Sequence, residues 1–158
     1  MWRLAIWEQV RANPQNAYIV LTKRPDRISA VEIGPGGEWP QNLWLGTSIT
    51  GERDDKWRVH EAHYSVNIRR LVVSVEPLLG HASGELRRCR PPAWLIVGPQ
   101  TGPGAQPPER AWVDALVRYA DDTGVPLWLK SSFARCMPDI ELRQELPAAM
   151  TAICGEGR

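Results

Sequence analysis

The sequence predicts an α/β fold: a partial (β/α) barrel, or an open curved parallel sheet of about five strands, with helices on its outer face. Three observations predict it. First, five short segments are apolar along their length: Tyr18–Leu21, Leu43–Ile49, Leu71–Val75, Trp94–Val97 and Leu127–Leu129. A continuous apolar run, rather than alternation, marks a strand covered on both faces, as parallel strands are. Second, helical or irregular crossovers separate the runs, which implies right-handed β–α–β connections. Third, each run ends in polar residues or glycines. Function therefore belongs at the strand exits, as at the mouth of a barrel. A dinucleotide-binding sheet would place a glycine-rich turn after its first strand. Here GxGxxG is absent, and the glycines follow the fourth strand.

The chain has 158 residues, enough for a single domain with its own core. A formal net charge of +1 gives no bulk case for nucleic acid or an anionic membrane. No apolar run is long enough to span a bilayer, and MWRLAIWEQVR lacks the features of a signal peptide. These observations place the chain in the cytoplasm. Cys89, Cys136 and Cys154 are far apart and show no metal-binding spacing, so they read as reduced structural thiols. His60 and His63 share a helical face without a carboxylate to complete a metal site.

The elements follow in order. Leu4, Ile6, Trp7 and Val10 recur at helical spacing, and Asn13-Pro14 ends that helix. The first strand follows at Tyr18, and Pro25 opens a short helical stretch to about Val31. Gly34–Pro40 reads as a loop and Glu52 to about Ser65 as an exposed helix. A short helix is expected around Gly84–Arg88 and a longer one over Pro108–Asp122, ended by Gly124. Residues 1–132 form the sheet; 133–158 read as a tail, with a short helix over Ile140–Leu146 and a frayed end from Met150. Trp44, Trp94 and Trp128 fall inside strands and Trp7 and Trp112 on apolar helix faces. This leaves Trp39 and Trp57 as the exposed aromatic platforms.

The exits carry the candidate site. Lys23-Arg24 is either an anion clamp or a solvated pair. Ser48 and Thr50 either meet ligand oxygens or cap the next helix. Glu76 is a base, or an acceptor for an amine or ribose hydroxyl, or one half of a structural ion pair with Lys23, Arg24 or Lys130. Gly98, Gln100, Thr101, Gly102 and Gly104 form a loop that a ligand can approach closely, or an ordinary tight loop. Lys130 neutralises an anion or, desolvated, acts as a base or Schiff-base amine. Glu76 and Lys130 are the catalytic candidates; no metal ligands are assigned.

Five motifs, LTKRPDR, LWLGTSI, SVEPLLG, WLIVGPQTGPGAQP and PLWLKSS, together resemble in order and spacing the phage gene product 37/gene product 68 family over residues 1–132. That family is a domain of unknown function related to radical-SAM proteins. The resemblance implies a radical-SAM-like partial barrel, S-adenosylmethionine and a four-iron four-sulfur cluster. Family members hold the cluster on a three-cysteine segment upstream of the LTKRP-like strand. This chain starts on the helix just before that strand, so it looks like the C-terminal portion and holds no cofactor alone. Glu76 and Lys130 match the family pattern. Gln100 stands in place of a family glutamate, a second glutamate expected after the second strand is replaced near Thr50, and Ser131-Ser132-Phe133 replaces Gln-Trp-Gly. The resemblance implies either the C-terminal part of a radical-SAM-like enzyme or a truncated, non-catalytic binding domain. It also implies an exposed edge on the first strand, open to an N-terminal complement or to a second copy.

Overall fold

A computed structural model describes residues 2–28, 39–52, 57–64 and 70–155. The elements run α1 (Trp2–Ala12), β1 (Tyr18–Thr22), a 3-10 turn (Pro25–Arg27), β2 (Leu43–Ile49), α2 (Trp57–Tyr64), β3 (Leu71–Val75), α3 (Ser83–Leu86), β4 (Trp94–Val97), α4 (Arg110–Thr123), β5 (Leu127–Leu129), α5 (Phe133–Cys136) and α6 (Ala148–Cys154). The five strands lie in chain order, β1-β2-β3-β4-β5, and every pair is parallel. This is the open, curved α/β sheet that the apolar runs predict.

Register fixes which side chains share a face, because successive residues of a strand point to opposite sides. One row runs Thr22, Thr47, Val73, Leu95, Leu127, and the next Ile49, Val75, Val97, Leu129. These rows meet Val59 and Ala62 of α2, Leu86 of α3, Val113, Leu116, Tyr119 and Ala120 of α4, and Phe133 of α5 in the main core. Near β1, Trp7 and Val10 of α1 pack with Leu43, Tyr18 and Val20 on the same side. Asn42 fastens this corner: its buried Nδ2 donates to the carbonyls of Val10, Asn13 and Asn16 at 2.8–3.0 Å.

The opposite face is covered differently. Trp44, Val72, Trp94 and Ile96 cluster there with Met150 of α6, and Trp128 packs beside them, edge-on to Trp94 at 6.0 Å. The tail is therefore part of the core, through Phe133 on one face and Met150 on the other.

Several expectations change. Ile140–Leu146 is not helical. Leu142 and Leu146 have helical spacing, yet both are exposed, and the segment lies along β5 instead. Leu129 N–H donates to the Arg143 carbonyl at 2.7 Å, Glu145 N–H to the Leu127 carbonyl at 2.9 Å, and Gln144 bridges Trp128 in antiparallel sense. Backbone pairing with an edge strand outweighs local helical spacing here. Pro108 lies two residues before α4 rather than in its first turn. Trp39 is not a free platform: it meets Trp7 edge-on at 5.6 Å, whereas Trp57 is 44 % exposed. Residues 29–31 of the stretch after Pro25, 34–38 of the following loop, and 53–56 and 65 of the expected Glu52–Ser65 helix lie outside the described residues.

Candidate functional site

The parallel ladder continues one residue past the strand ends. Glu76 N–H donates to the Ile49 carbonyl at 2.9 Å, Gly98 N–H to Val75 at 3.0 Å and Lys130 N–H to Val97 at 2.9 Å. Alternation places Glu76, Gly98 and Lys130 on the same face as Ser74, Ile96 and Trp128, one row higher. They therefore stand side by side at the C-terminal ends of three neighbouring strands. Gly98 is the central member and carries no side chain, so Glu76 and Lys130 meet above it: Nζ donates to Oε1 at 2.6 Å.

The glycine is a spatial requirement. A Cβ on Gly98 would stand 2.9 Å from Oε1 of Glu76 and 3.0 Å from its carboxyl carbon, closer than real contacts allow. Below the pair lie the buried Ile96 and Ser74 and the half-buried Trp128. Above it is open: Lys130 and Glu76 keep 43 % and 33 % of their side-chain surface. A pair this accessible contributes only about 0.2–1 kcal/mol to stability. What it offers chemically is a carboxylate and an ammonium side by side over an apolar floor. That arrangement complements a small ligand bearing both an amine and an acid.

The remaining exit residues have other partners. Arg24 forms a two-pronged pair with Asp26, at 3.1 and 2.9 Å, which raises the arginine pKa and lowers that of the aspartate. Lys23 is exposed beside it. Gln100 turns into its own loop, where Oε1 accepts the Gln106 N–H at 3.2 Å, and Thr101 is exposed. The Ser48 carbonyl accepts from Arg58 at 3.4 Å, and its side chain lies on the pair's face one row below, in register with Ser74. The Thr50 hydroxyl donates to Glu52 Oε2 at 3.1 Å and accepts the Glu52 N–H at 3.4 Å. The described contacts thus unite Glu76, Gly98 and Lys130, and no described contact links Lys23, Arg24, Gln100 or Thr101 to them. A signal for the row was present in the sequence: each of its three members is the first residue after an apolar run.

The three thiols are free, Cys89 half-buried beneath α4, Cys136 on α5 and Cys154 at the end of α6. Burial, then Glu85, raises the Cys89 pKa, which makes it a poor nucleophile. His63 is held toward its neutral form by burial, with Arg90 and His60 adding to this. Among the described residues no group of three or more His, Cys, Asp or Glu could hold a metal ion. No described helix is long and apolar enough to cross a membrane.

Fold and site define a parallel α/β sheet with an ion pair at its strand exits. The chain belongs to the family described as "Protein of unknown function (DUF5131)", which residues 1–143 match. No curated protein and no solved structure matches it.

Proposed function

We propose that the chain is the C-terminal part of a phage-type radical-SAM-like protein, binding S-adenosylmethionine or a substrate at the C-terminal ends of its strands. The observation that carries this reading is the Glu76–Lys130 pair over Gly98. The amino-acid end of S-adenosylmethionine has an ammonium and a carboxylate. Glu76 would accept from the first and Lys130 would donate to the second, exchanging their mutual bond for two ligand bonds. Ser48 lies one row below on the same face, half-buried, and suits a further polar atom of the ligand.

The cluster does not fit this chain. Cys89, Cys136 and Cys154 lie on separate elements, and the described residues hold no metal-binding group. These thiols therefore offer no cluster site, and no reaction step runs through one. The same scattered thiols favour a second reading, a non-catalytic family member that binds a ligand or partner through these exits.

The test is calorimetric titration of the chain with S-adenosylmethionine, repeated on Glu76→Gln and Lys130→Met. Saturable binding, weakened at least tenfold in each variant, is expected. Absent binding, or binding indifferent to both substitutions, overturns the assignment. Anaerobic treatment with iron and sulfide should leave the chain without iron–sulfur absorbance; a cluster held by these residues would refute that reading of the thiols.

A further inference from the structure

α2 is a short helix that braces two of the strand exits. It packs on β2, on β3 and on the 3-10 turn that follows β1. Val59 and Ala62 are its fully buried residues. Arg58, in its first turn, donates to the Ser48 carbonyl at 3.4 Å, which ties the helix to the end of β2. The rest of the main core is held by α3, α4 and α5 through Leu86, Val113, Leu116, Tyr119 and Phe133.

His63, next to Ala62 on α2, makes this attachment sensitive to acid. Its ring is half-buried, and the nitrogen sealed from solvent is Nε2, which has no hydrogen-bond partner among the described residues. A neutral imidazole tolerates that position, because its one proton can sit on Nδ1 and leave only a bare acceptor inside. An imidazolium carries an N–H on both nitrogens, and the one on Nε2 would be buried without an acceptor. The described surroundings offer no carboxylate to offset this. Burial opposes the charged ring most, and Arg90, from the segment after α3, and His60, one turn earlier on α2, add to it. The residues that β2 and β3 turn toward α2, among them Ile49, Val73 and Val75, are uncharged. In the 3-10 turn Asp26 is engaged by Arg24 and Arg27, at 2.9 and 3.5 Å.

We infer that α2 is an acid-sensitive latch on the exits of β1 and β2: protonation of His63 drives the helix off the sheet, so that Nε2 reaches water and the Ser48 carbonyl loses Arg58. The direction follows from linkage. An unfolded histidine titrates at 6.5, and the folded chain holds His63 below that value. The attachment is therefore complete above pH 6.5 and is lost as the pH falls below it through the folded value. The loss is local, because the helices on β4 and β5 keep their own buried contacts.

Hydrogen exchange of the full 158-residue chain at pH 7.5 and pH 5, expressed as protection over the intrinsic rate at each pH, tests this. Protection of the α2 amides should drop at pH 5 while that of α4 holds. His63→Leu keeps an apolar body and has no proton to take up, so its α2 protection should be the same at both pH values. His60→Leu should leave the drop in place. Nuclear magnetic resonance of the unsubstituted chain gives a readout that needs no variant: the His63 ring should titrate below 6.5. An equal loss of protection in α2 and α4, a drop that persists in His63→Leu or vanishes in His60→Leu, or a His63 ring that titrates at or above 6.5 overturns the inference.

Discussion

Gly98 lies directly beneath the carboxylate of Glu76, and a methyl group there would approach Oε1 to 2.9 Å. What it would meet is the end of a flexible side chain, so the backbone need not move. Gly98→Ala should push Glu76 off Lys130 while costing the fold no more than about 1 kcal/mol. Urea melts and ligand titration separate the two effects: near-normal stability with binding reduced as far as in Glu76→Gln is expected. Binding equal to that of the unsubstituted chain would show that the glycine does not shape the site.

Gly46 poses the opposite case. It sits in register with Val72 in the middle of the sheet, and an added Cβ would stand 2.8 Å from the Val72 carbonyl carbon and closer still to its oxygen. Backbone flanked by strands on both sides cannot yield cheaply. Gly46→Ala should cost about 3 kcal/mol, read as a lowered urea midpoint with unchanged slope. A midpoint within experimental error of the parent would refute this packing.

The Asn42 amide reaches three main-chain carbonyls at the end of α1 and before β1, and it is 6 % exposed. Asn42→Ala leaves buried acceptors without donors, a loss of about 1–3 kcal/mol. The damage should be local, so hydrogen exchange should accelerate in α1 and β1 well before β4. Uniform acceleration across the sheet would contradict the assignment of Asn42 to this corner.

The strands were legible because each is a short apolar run covered on both sides, and parallel pairing leaves few other ways to bury Leu71–Val75 or Trp94–Val97. Glu76 and Lys130 were legible as polar residues stranded at the end of such runs. Their partnership was legible only as one of three ion-pair alternatives, with Lys23, Arg24 or Lys130, because the choice depends on register across β3, β4 and β5 and on the bare position at Gly98. The partner of Gln100 was not legible for a related reason: its place after a strand said nothing of the turn that brings the Gln106 N–H to its side chain. The segment after Ile140 misled because leucines four apart resemble a helix, whereas its conformation is imposed by the open edge of β5. Asn42 gave no signal at all, since a lone asparagine before a strand reads as a turn residue.

Tyr119 supplies a pH dependence with a definite sign. Its side chain is fully buried on α4 and its hydroxyl has no hydrogen-bond partner among the described residues, while the Thr123 hydroxyl donates to the Tyr119 carbonyl at 2.6 Å. Burial, reinforced by Cys89, pushes the phenol pKa up to about 12, from 10.0. The folded state therefore keeps a proton that the unfolded chain releases earlier. The resulting stability is complete below pH 10 and is lost as pH rises from there through about 12, an effect on the order of 2 kcal/mol. Tyr119→Phe removes the titrating group and an unpartnered buried oxygen while keeping the ring, including its place under the Arg87 guanidinium at 5.6 Å. The variant should match or exceed the parent's stability at pH 8, and its advantage should widen between pH 10 and 12. Urea melts at pH 8, 10 and 11 measure that difference directly. A gap between the two proteins that stays constant across the series would mean that Tyr119 titrates alike in the folded and unfolded chains, and that its hydroxyl is not sealed from water beneath Arg87.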